Sequence, residues 1–222
     1  MAAKRDKRAV CSLCSEVRVV TREHVPPKNL FLAPRPKNTI TVPVCEQCNH
    51  SFHLDDEYFR VYIAIGAEPG TRLWRLWKER VVGSSFVRSG GLKGRLNEDR
   101  VRLHEHHRAV PMRTFDGEVL ADELVPFTQS FVARRINSVV DKIVRCLHFA
   151  SSGTPLAREA QIAVEVTPLT NYEERLLYDD RTGHVGDHDE FVFRREVVHR
   201  GQTRWLLGFY RHHTFTVTVN AS

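Results

Sequence analysis

The sequence has no apolar run approaching the roughly 20 residues that a membrane-spanning helix needs, so no membrane partner is expected. The opening Met1-Ala-Ala-Lys-Arg-Asp-Lys-Arg lacks the apolar core of a secretory signal, which predicts a cytoplasmic, reducing location. In such a compartment cysteines favour metal over disulfide bonds. The glycine-rich stretch over 83–99 comes without the Lys-Ser/Thr tail of a phosphate-binding loop. Asp179, Asp180, Asp187 and Asp189 lack the register of a calcium loop and read as a polar hairpin loop. No internal repeat and no second catalytic signature are present.

What the chain does contain is the composition of a soluble globular protein, 41% hydrophobic and 27% charged. Its formal net charge of +6 leans towards a polyanionic partner. Four of its five cysteines form two Cys-x-x-Cys pairs, Cys11/Cys14 and Cys45/Cys48. Each pair can present two thiolates to one ion, and four thiolates in tetrahedral geometry make a closed structural Zn²⁺ site. Redox pairs of the thioredoxin type sit in a βαβ pattern that is missing here. The interval between Cys14 and Cys45 is longer than a simple zinc ribbon uses, so something is inserted between the two knuckles. The fifth cysteine, Cys146, falls in an amphipathic helical stretch and reads as a buried thiol.

The inserted stretch carries Glu23-His24-Val25-Pro26-Pro27, and Asn49 follows the last cysteine directly. The arrangement resembles the cysteine-bracketed HNH endonucleases, which are ββα-metal nucleases. In that family a zinc knuckle precedes a strand ending in Asp-His or Glu-His. A proline-containing loop and a second strand follow, and then a Cys-x-x-Cys opening a helix, with His or Asn next. Glu23-His24 matches the first element and Cys45-Glu46-Gln47-Cys48-Asn49 the second, while Asn38 resembles the loop asparagine. The likeness spans residues 11–60 of the 222. Two positions depart from the pattern: Glu23 replaces the commoner Asp, and Asn38 lies further from Cys45 than is usual.

The resemblance implies hydrolysis of phosphodiester bonds in DNA, and the sequence does not decide between DNA and RNA. His24 would be the general base, since an imidazole can take a proton from water near neutral pH. Glu23 and Asn49 would hold one Mg²⁺ or Mn²⁺, hard ions that take oxygen ligands and keep several waters. Asn38 would orient His24. A helix starting near Cys45 would put Asn49, His53 and either Asp56 or Glu57 on one stripe, so the candidate divalent-metal residues are Glu23, His24, Asn49, His53 and Asp56. Arg22, Lys28, Arg35 and Lys37 would neutralise substrate phosphates.

The expected architecture is α+β. A zinc-stapled ββα module occupies residues 1–66, followed by a helical and antiparallel β region over 67–222. Strands are expected at Val17–Thr21 and Thr39–Val44, with a helix from Cys45 through Ile65. Thr71 caps a helix over Arg72–Val82. A strand is expected at Val101–His107 and a hairpin at Asp116-Gly117. A helix over Phe131–Phe149 has Ile136, Val139, Val140, Ile143, Val144 and Leu147 on its apolar face, and Arg134, Arg135, Lys142 and Arg145 opposite. Strands at Gln161–Thr167, Phe191–His199, Thr203–Tyr210 and Thr214–Val219 complete an antiparallel region. The rival functional class is a zinc-knuckle protein that binds nucleic acid or a protein partner without cutting; it has no use for Glu23, His24 and Asn49 together.

Overall fold

The computed structural model describes residues 7–85, 90, 92, 94, 130–166, 182–187 and 190–220. The strand expected at Val101–His107 and the turn at Asp116-Gly117 lie outside them. The chain is mixed α and β, with antiparallel sheets, and forms two compact units. One comprises residues 1–53 together with 139–222, the other residues 54–138. No helix among the described residues is long and apolar enough to cross a membrane.

In the first unit, β1 (Arg8–Val10), β2 (Val17–Val25) and β3 (Ile40–Cys45) make an antiparallel sheet in the order β1-β2-β3. The β-branched run Val17–Thr21 starts β2 as expected, but the strand continues through Glu23 and His24 to Val25. Unbroken pairing from Val20↔Cys45 to Val25↔Ile40 fixes the register. Pro43 sits in β3 without disrupting the ladder because β3 is an edge strand. Its carbonyl accepts from the Ser12 amide at 2.9 Å, tying the first knuckle to the strand.

Two helices replace the single one expected after Cys45. The first, α1 (Glu46–Ser51), stops at Phe52, whose ψ of −5° opens the turn. The second, α2 (His53–Ala64), then begins. At the break the Phe52 ring comes to lie 5.2 Å beneath the Lys142 ammonium. The interruption shifts the helical phase, so Asn49 and His53 no longer follow one another on a continuous i, i+4 stripe.

The long helix α4 (Ser130–Ser152) ends at Gly153, which adopts φ +74° and donates to the Phe149 carbonyl at 2.8 Å. The expected apolar residues are buried, and Lys142 and Cys146 with them. Lys142 therefore departs from the expected outer face. Arg145 is tied at home, to Asp141 at 3.0 Å and to the Ala157 carbonyl at 3.0 Å.

The second sheet runs β4 (Gln161–Val166), β8 (His213–Asn220), β7 (Gln202–Phe209), β6 (Phe191–His199), β5 (Gly183–Val185). Phe191, Trp205, Phe209 and Phe215 fill its core, and burying such rings dominates the energetics of the sheet. Only β5 was unexpected; three residues inside a polar loop give no periodicity to read. β7 turns into β8 through Phe209–His212, closed by the His212 amide on the Phe209 carbonyl at 3.0 Å. Tyr210 and Arg211 at its centre have φ of 55° and 53°, a region that costs non-glycine residues about 1–2 kcal/mol. Replacing Arg211 with Gly is expected to raise stability in urea by about 1 kcal/mol. A lower midpoint would mean that the arginine's own contacts outweigh the backbone strain.

In the second unit, α2 buries Tyr58, Phe59, Val61, Ile63 and Ala64. Thr71 caps α3 (Arg72–Leu76) by accepting from the Trp74 amide at 3.1 Å. The helix continues as a π-helical stretch over Trp77–Ser85 where an α-helix to Val82 was expected. Arg135 lies 5.6 Å over the Tyr58 ring and 3.9 Å from Asp55.

Candidate metal centre and adjoining site

The four paired cysteines converge. Cys11 and Cys14 come from the turn after β1, Cys45 ends β3, and Cys48 lies in the first turn of α1. Their sulfurs all lie within 4.8 Å of one another, with Cys14 and Cys45 at 4.0 Å. Sulfurs each about 2.3 Å from one tetrahedral ion would be roughly 3.8 Å apart, so the cluster has the dimensions and donors of a zinc site. All are free thiols rather than disulfides. The turn is built for the purpose: Ser15 takes φ 64°, and its amide donates to the Cys11 carbonyl at 3.0 Å.

Electrostatics favour a cation here. Burial works against the Cys11 thiolate, but backbone amides of Cys14, Cys45 and Leu13 donate to it and bring its pKa down to about 7. Burial pushes the Cys14 and Cys48 thiols up, and neighbouring sulfurs add to the effect. Four thiolates cannot share this volume uncompensated; one divalent ion resolves the conflict. Among the described residues, no other group of three or more His, Cys, Asp or Glu side chains converges in this way.

Glu23 and His24 occupy successive positions of a regular strand, so their side chains leave opposite faces. Glu23 shares its face with Thr21 and Val25. Its Oε1 meets the Lys142 Nζ at 3.0 Å, and both side chains are largely out of water, 13% and 3% exposed. Asn49 lies on this side as well, because its Nδ2 donates to the Thr21 hydroxyl at 3.4 Å. That contact engages the donor end of the Asn49 amide, while the Glu23 carboxylate is engaged by Lys142; both side chains carry oxygen donors of the type that hard divalent ions take.

His24 is half-buried, and its Nδ1 finds no hydrogen-bond partner among the described residues. Burial first, then Lys28 and Arg35, hold its pKa below the ordinary 6.5, with Glu23 acting in the opposite sense. The imidazole is neutral at pH 7 and able to accept a proton. Lys28, Arg35, Arg22 and Lys37 are all exposed.

The remaining candidates have other surroundings. Asn38 holds the β5 turn: its Nδ2 donates to the His184 carbonyl at 3.2 Å, and its Oδ1 accepts from the Gly186 amide at 2.9 Å. His53 is exposed at the start of α2, and Asp56 is half-buried one turn later in the same helix. The residue that sequence reasoning missed is Lys142. Its signal was faint but present: it lies four residues before Cys146 and three after Val139, within the buried arc of α4. No protein-family model, curated protein or solved structure matches this chain.

Proposed function

We propose that the chain is a metal-dependent endonuclease of the HNH type, acting on DNA. One observation carries the reading. A strand bearing Glu23-His24, an antiparallel partner, and a helix opened by Cys45-Glu46-Gln47-Cys48-Asn49 follow one another around a single cluster of four thiols. Zinc at the thiols would be structural, holding the head of α1 against the end of β3. A Mg²⁺ or Mn²⁺ ion held by Glu23 and Asn49 would supply Lewis-acid stabilisation of the scissile phosphate and the leaving oxygen. His24, neutral at pH 7, would take the proton of the attacking water; this requires its ring, which leaves β2 on the face opposite Glu23, to reach the same phosphate around the strand. Exposed Arg22, Lys28, Arg35 and Lys37 neutralise the flanking phosphates. On this reading Asn38 secures the loop that follows His24 rather than touching substrate, through its bonds to the β5 turn.

The test is nicking of supercoiled plasmid by zinc-loaded protein in Mg²⁺ or Mn²⁺, with chelator as control. A base must be deprotonated to act, and His24 is shifted below 6.5, so the acidic limb of kcat/KM is expected below that value. A limb at or above 6.5 would assign the base elsewhere.

A second reading, a zinc-stapled module that binds nucleic acid without cutting it, is favoured by two contacts. Glu23 is already paired with Lys142, and Asn38 is already bonded to β5. Retention of plasmid in a gel shift without metal-dependent nicking is its signature.

A further inference from the structure

A lysine side chain that is 3% exposed is unusual, because ammonium groups are almost never fully buried unless paired. Lys142 is paired with Glu23 Oε1 at 3.0 Å, and the face of Phe52 lies 5.2 Å from its nitrogen. One turn further along α4, Cys146 meets the Ser12 hydroxyl at 3.9 Å, beside the metal-binding Cys11. These contacts hold one face of α4 against β2 and the first knuckle, and they aim the ammonium at the carboxylate. A cation at that point meets the electrostatic demand that a divalent ion would otherwise meet.

We infer that Lys142 is the resident cation of the Glu23 carboxylate, and that a divalent ion reaches Glu23 only by displacing it. The inference rests on the reading of Glu23 as a metal ligand. An ammonium and a dication a few ångströms apart repel by several kcal/mol at the dielectric of a protein surface. Both therefore cannot hold one carboxylate oxygen at full strength. The consequence is a site whose affinity for Mg²⁺ or Mn²⁺ is low in the resting chain and is set by α4, far away in sequence. The proton count does not change: the lysine leaves as an ammonium and the ion arrives in its place.

The experiment titrates Mn²⁺ into the zinc-loaded, DNA-free chain and follows the free-ion signal by electron paramagnetic resonance. The thiol cluster keeps its zinc, since soft thiolates select Zn²⁺ over Mn²⁺. Lys142→Met preserves the length of the stem against Phe52 and removes the charge. It is expected to bind Mn²⁺ about tenfold more tightly or better, and the gain is expected to vanish when Glu23→Gln is added. Equal affinity in folded Lys142→Met and the unaltered chain overturns the inference, and so does a gain that survives Glu23→Gln.

A second measurement needs no variant. Acylation of lysines in the unaltered chain, read by mass spectrometry, is expected to spare Lys142 without Mn²⁺ and to modify it at saturating Mn²⁺. Continued protection at saturation overturns the inference even if Lys142→Met fails to fold. Neither readout involves cleavage. A chain that shows the Mn²⁺ effects but never nicks DNA keeps the inference and loses the nuclease; nicking without them does the reverse.

Discussion

Cys45→Ser is expected to abolish stoichiometric zinc and to unfold the N-terminal half of the first unit. Structural zinc is worth about 10–16 kcal/mol in isolated zinc-finger peptides, whereas whole domains are stable by about 5–15 kcal/mol. Losing one thiolate of four therefore suffices. Cys45 is the most exposed to this argument because it ends β3, precedes the first residue of α1, and donates its amide to the Cys11 sulfur at 3.4 Å. The checks are metal content by atomic emission and loss of the cooperative thermal transition, with chelator treatment of the unaltered chain producing the same state. Acid should do likewise, because every ligand must give up its proton to hold the ion and burial already raises Cys14 and Cys48. A serine variant that keeps its melting temperature and its zinc would remove the cluster from the account of stability.

His24→Ala is expected to have the complementary effect. Loss of a positioned general base costs about 10²–10⁴-fold in rate. Zinc content should be unchanged, because His24 lies outside the thiol cluster. Stability should not fall steeply either. The Nδ1 atom is buried without a partner among the described residues, so truncation removes a desolvated polar atom together with the ring's apolar contacts. The sign of the pH dependence follows from the depressed pKa. The folded chain binds this proton less readily than the unfolded one. The resulting stability is present above 6.5 and is lost as pH falls through the lower folded value. In the alanine variant that acid sensitivity should be reduced. Plasmid nicking and urea midpoints at two pH values, measured side by side, decide the matter. Full nicking activity in the variant would sink the assignment of His24 as base.

The parts of this molecule that sequence could reveal are the ones written in local pattern. Thiol spacing announced the four-cysteine cluster, because metal-ligand chemistry restricts the spacing. β-branched alternation announced β6, β7 and β8, and the apolar stripe announced α4. The misses share a cause. The break at Phe52 carries no glycine or proline, and its ring meets Lys142 from far along the chain. The burial of Lys142 depends on a carboxylate 119 positions away. Asn38 bonds to residues 146 and 148 positions away. Long-range partners of this sort leave no trace in a window of ten or twenty residues, and they are the contacts that decide which candidate side chains are available for chemistry.

The first unit is assembled from two stretches of chain separated by residues 54–138, and this has a consequence for biosynthesis. At about 5–20 residues per second, the ribosome needs roughly 4–17 s to make the intervening stretch. For that interval the nascent β2–β3 hairpin exists without the C-terminal part of α4, with Glu23 lacking its ammonium partner and Ser12 lacking its contact with Cys146. The thiols, all within residues 11–48, can close on an ion in the meantime. Early metallation would act as a placeholder that keeps the hairpin in register until the rest of its unit emerges. Zinc limitation during translation would then leave the hairpin without its staple before the rest of its unit exists.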